Sequence, residues 1–384
     1  MSSRESVRLV LATAIFALAL HAGVVAVKTL THPSHSVLAV FRVGGLQPWR
    51  PDFVAEEGYP LEAEGFGTDG QQYLFVAHDP LLRRGDMARA IDAPRYRYGR
   101  ILLPAIAATT CGGASPCIPR VIVAYNLAFA AAIGALAALL VRSRGAHPAW
   151  GFLLAASGAL VCATDVANVE LAAQAFGLLG IVLFDRGRLG LAAVALAASV
   201  LGRETYALLP AGLALSLALD RRIRDAARVS AAVLPAVGWA IFLRGALPPD
   251  AGGGGLMNLT APLGGVVAHV ADFARHPTPT GSTVVAVAVG APLLAMIGRH
   301  LLALRADRSG LAIATGLFAL LGLCSSAQVW ARPGGFARGL DFLYPGVVLC
   351  ALARRDRATA LLALSTLIQT GNILADHFLV PAPR

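Results

Sequence analysis

Apolar runs recur along this chain at lengths that match a lipid bilayer, and they constrain its fold more than any other feature. They cover 9–27, 121–141, 149–163, 171–184, 189–201, 206–219, 229–243, 283–298, 310–330, 342–353 and 358–375. A helix needs about 17–25 predominantly apolar residues to cross the hydrocarbon core. Several runs are shorter, which is tolerated where polar groups and irregular backbone line protein or water rather than lipid. Few of the runs have the polar stripe that a soluble amphipathic helix shows. Only 14% of the residues are charged, against about a quarter in soluble domains. The expected fold class is therefore all-α integral membrane. A large soluble α/β core cannot hide so many Leu, Ala and Val runs.

The net charge is +10. Lys28 is the single lysine, so the excess comes from arginine. The arginines gather in short clusters between apolar runs: Arg4 and Arg8, Arg142 and Arg144, Arg186 and Arg188, the group from Arg221 to Arg228, the group from Arg299 to Arg308, and Arg354 to Arg357. That is the pattern of the positive-inside rule and not that of a nucleic-acid-binding surface. Placing every cluster in the cytoplasm gives eleven alternating crossings on one condition: the stretch 101–111 must not cross. It contains Pro104 and is too short to span at 1.5 Å per residue, so it reads as a re-entrant or interfacial helix. The N-terminus has a signal-peptide look, with a cleavage point conceivable after Ala22, but its apolar run continues and is read as an uncleaved first span. A single polytopic domain, 1–384, is expected, with a cytoplasmic N-terminus in the inner (plasma) membrane and 29–100 as the first extracytoplasmic loop.

No CxxC pair and no metal-ligand spacing occurs among the five cysteines. Cys111 and Cys117 could bridge in an oxidising compartment or remain free thiols. The glycine run 252–255 lacks the GK[ST] and the preceding strand of a phosphate loop and reads as a flexible link. Asp165 and Glu170, bracketing Asn168, could bind hydroxyls or a divalent ion, but a solvated turn is the better reading. No cofactor is expected, and dependence on a divalent cation is left open. His78 is expected to be a surface residue.

The loop 29–100 is far longer than a connection between neighbouring spans requires. From Gly65 it alternates acids (Asp69, Asp79, Asp86, Asp92), aromatics (Tyr73, Phe75, Tyr96, Tyr98) and arginines (Arg83, Arg84, Arg95, Arg97, Arg100). Aromatic faces stack on sugar rings, guanidinium groups take phosphate oxygens in bidentate fashion, and a carboxylate can accept a hydroxyl proton. The composition suits a sugar phosphate equally with an ion-paired loop that merely covers the helices.

The series Asp69-Gly70-Gln71, Tyr73, Ala77, Asp79-Pro80, then Asp92, Pro94, Tyr96-Arg97-Tyr98, Arg100-Ile101-Leu102 and Pro104 resembles a family of bacterial polytopic proteins associated with cell-surface glycopolymer formation. It is also similar to the first outer loop of GT-C glycosyltransferases, including the GPI mannosyltransferases, with their Asp-Gly-x-x-Tyr. The close likeness covers 65–104 and a looser one extends to about Leu219. Such loops often have an aromatic before the Asp-Gly, where this chain has Thr68.

The resemblance implies a GT-C-like bundle and a hexosyltransferase-like enzyme. Its donor is a polyprenyl-phosphate-linked sugar, because nucleotide sugars stay in the cytoplasm, and its acceptor is a cell-envelope glycan or lipid, glycosylated with inversion. Asp69 is implied as the base, with Asp79 as second candidate, orienting Arg97 or binding acceptor. Arg97, Arg100, Arg203 and Arg338 are expected to hold the donor phosphate, with charge that does not depend on pH. Gln71, Tyr73, Tyr96, Tyr98 and Glu204 are expected to bind substrate. Arg203 and Glu204 adjoin at a membrane-embedded turn, where charge is costly and points to function, with mutual neutralisation as the alternative. A transporter or flippase for a lipid-linked glycan would want charges along a central pathway, often with inverted repeats, and no repeat is visible. A non-catalytic glycopolymer assembly subunit is the third reading.

Overall fold

The computed structural model describes residues 3–84, 87–250, 255, 258–275, 281–330, 339–356, 365, 367–368 and 370–371. Among the described residues the chain is all-α apart from a minimal parallel pair, β1 (Val43–Gly44) and β2 (Leu61–Glu62), and an isolated antiparallel bridge between Leu259 and Ser325. Three helical stretches are long and apolar enough to cross a membrane, Arg4–Thr31, Ser115–Ser143 and Ile223–Ala246, and they mark the chain as a membrane protein.

The first helix, α1 (Ser3–Thr31), has the residue pattern of a membrane-protein helix. Val7, Leu11, Ile15 and Leu18 point outward and are exposed, whereas Ser6, Thr13, Ala17, His21 and Val24 are buried. The small and polar face turns inward and the large apolar face outward, the reverse of a soluble helix. The loop contributes α2 (Asp52–Glu56), α3 (Asp69–His78) and α4 (Pro94–Tyr98). After these come α5 (Leu102–Thr110) and α6 (Ile118–Ser143). Gly134 of α6 lies against Thr13 of α1, where a Cβ would stand 2.6 Å from the Thr13 carbonyl oxygen. Small residues let two helices approach this closely.

With nine residues, α5 is about 14 Å long, less than half a hydrocarbon core. A Cys111–Cys117 disulfide closes the turn that follows it, so of the two readings of these cysteines the bridged one holds. The chain then enters α6.

The helices continue with α7 (Trp150–Ala155), α8 (Gly158–Asp165), α9 (Glu170–Asp185), α10 (Leu189–Gly202), α11 (Leu208–Leu219), α12 (Ile223–Ser230) and α13 (Leu234–Ala246). Further along lie α14 (Gly264–Arg275), α15 (Gly281–Ala303), α16 (Gly310–Leu323), α17 (Ala327–Trp330) and α18 (Leu343–Ala353). The apolar run 149–163 is thus two helices, broken at Ala156 and Ser157. The carbonyls released by the break find polar partners: His21 bonds the Ala155 oxygen at 3.2 Å and Thr370 bonds that of Ala156 at 2.6 Å. A break inside an apolar segment persists only when its backbone is re-satisfied in this way. The run 310–330 is also divided, with α16 ending at Leu323 and α17 following. Most of 358–375 lies outside the described residues.

The long loop has a core of its own. Val40, Phe41, Phe53, Tyr59, Leu74 and Phe75 are buried together with Leu103, Ile118 and Ile122 from the adjoining helices. The His78 ring stacks on Phe53 at 3.8 Å between centroids and bonds the Leu74 carbonyl and the Ser115 hydroxyl, each at 2.8 Å. His78 is therefore part of the packing and not a surface residue. The loop is a folded cap seated on the helix ends.

Candidate functional site

The cap is pinned where α3 begins. Thr68, the residue before the helix, donates its amide to the Arg42 carbonyl at 3.2 Å and its hydroxyl to that of Phe41 at 3.1 Å. A Cβ on Gly70 would stand 1.8 Å from the Val166 carbonyl oxygen. Only glycine lets the first turn of α3 rest on the turn between α8 and α9, and this fixes Asp69 at the cap–bundle junction. Gln71 staples the wall behind it, accepting from Gly44 at 2.9 Å and donating to the Phe66 carbonyl at 2.7 Å.

Arg97 and Arg100 hold the centre. The guanidinium of Arg97 forms a two-point pair with Asp92, Nε to Oδ1 and Nη2 to Oδ2, both 2.8 Å. The same Nη2 lies 2.9 Å from Asp69 Oδ1. Arg100 forms a second two-point pair with Glu204, at 2.9 and 2.7 Å, and donates Nη1 to the Tyr73 hydroxyl at 2.9 Å and Nη2 to the Tyr96 hydroxyl. The Tyr96 ring lies 5.4 Å from the Arg97 guanidinium and 4.2 Å from that of Arg100. Burial works against both cations, but the carboxylates and tyrosines around them outweigh it and keep both well above their ordinary range. Burial pushes the Tyr73 phenol up, with the two arginines pulling the other way. The arginine side chains are sealed, at 10% and 3% exposure, whereas those of Asp69, Asp92 and Glu204 are 27%, 51% and 52% exposed. Solvent therefore meets an acidic rim backed by fixed positive charge.

Two further ionic clusters adjoin. Arg203 Nη1 lies 3.4 Å from Glu170 and 3.2 Å from Asp341, whose carboxylate also accepts from the Tyr206 hydroxyl at 3.0 Å. The adjacent Arg203 and Glu204 thus face different partners, Glu204 turning onto Arg100. Glu170, Asn168 and Asp165 are buried, so 165–170 is a packed seat for the cap and not a solvated turn. Asp165 takes Lys28 at 3.1 Å and Arg42 at 3.0 Å.

Of the expected site residues, Asp69, Tyr73, Tyr96, Arg97, Arg100 and Glu204 come together. Asp79 does not join them. Its two carboxylate oxygens accept the backbone amides of Arg83 and Arg84 at 2.8 and 2.7 Å, so it closes a turn, and Asp92 does the orienting of Arg97 that Asp79 was expected to do. The Tyr98 side chain is fully buried in the cap and its carbonyl accepts from Trp239 Nε1 at 2.7 Å. Gln71 is equally structural. Arg338 lies outside the described residues.

Asp92, Lys28, Arg42 and Asp250 are additions to the expected set. Asp250 accepts the amides of Arg95 and Tyr96 at 2.9 and 3.0 Å, capping α4. Gly255, in the glycine run, lies so close to the Tyr96 ring that its Cβ would stand 2.8 Å away, which makes this end of the run a packed contact and not only a link. The lone lysine at the end of the first apolar helix was a readable signal. Nothing in the sequence ties Asp250 to residues so distant in the chain. Among the described residues, no group of three His, Cys, Asp or Glu side chains is placed to hold a metal ion.

No protein-family model matches this chain, and neither a curated protein nor a solved structure matches it.

Proposed function

We propose that the chain is a membrane glycosyltransferase of GT-C type that moves a sugar from a polyprenyl-phosphate carrier to a cell-envelope glycan or lipid, with inversion. The observation that carries this reading is the Asp69–Arg97 contact of 2.9 Å at the edge of a folded cap over apolar helices. A base and a phosphate-binding cation must stand side by side, because the bond that forms and the bond that breaks share one anomeric carbon. Asp69 takes the proton of the acceptor hydroxyl as its oxygen attacks that carbon. The carbon–oxygen bond to the carrier breaks, and the electron pair leaves with the lipid phosphate. The donor's phosphodiester, a monoanion with two free oxygens, competes on entering with the half-exposed Asp92 for the Arg97 fork, a matched bidentate exchange, and gains its second charge there as the lipid phosphate leaves. Tyr96 offers a face for a sugar ring, and Arg100 supplies a second fixed charge. A desolvated cation beside a developing negative charge stabilises the transition state more than it would in water.

The cap faces the extracytoplasmic side in this reading, with the arginine clusters inside, eleven crossings and α5 as the re-entrant element. A transporter would have its charges along a central path, whereas the sealed arginines and exposed acids at Asp69, Asp92 and Glu204 gather beneath the cap. The test is incubation of purified protein with a panel of polyprenyl-phosphate sugars and candidate acceptors. Donor consumption that requires acceptor supports the reading, and no consumption with any donor by well-folded protein defeats it.

A further inference from the structure

A second polar site lies at the other end of the bundle. Helices α9 and α10 run antiparallel from the Glu170–Arg203 pair and meet at a turn 16 residues of α9 away, about 24 Å. There, Arg188 before α10 and Arg222 before α12 follow two turns of the same design, in which Gly187 and Arg221 adopt left-handed backbone with φ of 72° and 61°. Side by side these turns bound a pocket of about 500 Å³ lined by Arg188, Arg222 and Arg228 against the single carboxylate of Asp225. Asp225 fixes two of the arginines, accepting from Arg222 at 2.9 and 3.1 Å and from Arg228 at 3.2 Å. The pocket keeps a net positive charge, and its arginines stay reachable, with the side chains of Arg222 and Arg228 at 54% and 67% exposure.

What adjoins this pocket is apolar. Leu191 and Val194 on α10 and Ile223 on α12 are exposed large hydrophobic residues, and Leu191 itself lines the pocket. A soluble phosphate would have no use for such neighbours. A molecule with an anionic head and acyl chains satisfies both surfaces, the head among the arginines and the chains along the α10 face. Arginine clusters at a helix–lipid boundary attract anionic lipid at about 1 kcal/mol each. We infer that this pocket is a binding site for the headgroup of an anionic phospholipid, independent of the chemistry beneath the cap.

The experiment is native mass spectrometry of the full chain taken from nanodiscs of mixed phosphatidylcholine and phosphatidylglycerol. Wild type is expected to retain phosphatidylglycerol over phosphatidylcholine. Each arginine removed should weaken retention about fivefold, so roughly 25-fold for R188A/R222A, and R188K/R222K should keep most of it. Asp225→Asn removes the competing carboxylate and should tighten retention about fivefold, a gain that damaged folding cannot produce. Equal retention of the two lipids, or no change in D225N and R188A/R222A, overturns the inference. So does displacement of phosphatidylglycerol by inorganic phosphate, which would assign the pocket to a soluble anion.

Discussion

Asp69 and Arg97 stand 2.9 Å apart, Oδ1 to Nη2, with the arginine sealed and the acid open to solvent. In the proposed reaction this acid takes a proton, and positioned general bases contribute about a hundredfold to ten-thousandfold. Asp69→Asn keeps the size and much of the hydrogen bonding of the side chain while removing the basic oxygen. It should lower transfer by at least about a hundredfold and leave membrane expression as in wild type. Undiminished turnover in that variant would remove Asp69 from the mechanism.

Asp92 reaches the same guanidinium by two bonds of 2.8 Å and is half exposed. It acts through Arg97. Asp92→Asn weakens the competitor for that fork, a half-exposed pair worth up to about 1 kcal/mol, so the KM for donor should fall by up to about fivefold, with acceptor dependence unchanged. Arg97→Ala, by contrast, should raise the KM for donor. Separate donor and acceptor titrations decide this, and a loss shared evenly between the two substrates would contradict a phosphate role for Arg97.

The membership of this cluster was partly legible in the sequence. Alternating acids, aromatics and arginines marked 65–104 as the chemical segment, and Asp69, Tyr73, Tyr96, Arg97 and Arg100 do converge. Sequence order could not say which acid serves which arginine, because a partner's identity depends on where the cap folds back. Asp79 was misassigned for that reason, although its position before Pro80 is itself a turn signal. Adjacent residues suggested an Arg203–Glu204 pair, yet consecutive side chains on a turn point apart, and each found a partner more than 30 positions distant. The runs 149–163 and 310–330 read as continuous because hydropathy carries no record of a break whose carbonyls are capped by remote side chains such as His21.

Glu204 and Arg100 give a stability prediction with a sign. The Arg100 side chain is 3% exposed and that of Glu204 52%, so the two halves of the pair are not equivalent. Removing the glutamate strands a buried cation, a loss of about 3–5 kcal/mol in comparable cases, and half-exposure of Glu204 puts this pair at the lower end. Glu204→Gln should therefore destabilise by about 3 kcal/mol, and R100M/E204Q should recover much of it. Thermal unfolding in detergent measures both. A double variant worse than E204Q would show that Arg100 contributes chiefly through Tyr73 and Tyr96.

Gly70 tests whether the cap is seated as described. A methyl at this position meets a backbone oxygen at 1.8 Å, and backbone cannot swing aside as the end of a side chain can. Gly70→Ala should cost more than about 3 kcal/mol and lower the yield of monodisperse protein. Thr68→Ala, one step outside the contact, should cost about 1 kcal/mol. Similar behaviour of the two variants would mean that α3 does not rest on the α8–α9 turn.

The Cys111–Cys117 bridge gives a test of sidedness that does not depend on activity. It closes a loop with a sequence separation of 6, worth about 2 kcal/mol on the chain-entropy estimate. Such a bond persists in an oxidising compartment and is rare where glutathione keeps thiols reduced. Protein denatured without reductant should therefore expose only three of its five cysteines to an alkylating reagent, and all five after reduction. A reporter fused after Arg144, one crossing later, should at the same time be cytoplasmic. An outside signal at Arg144 together with free thiols at Cys111 and Cys117 would mean that the segment from Leu102 to Thr110 crosses, and the assignment of every later arginine cluster to the cytoplasm would fail with it.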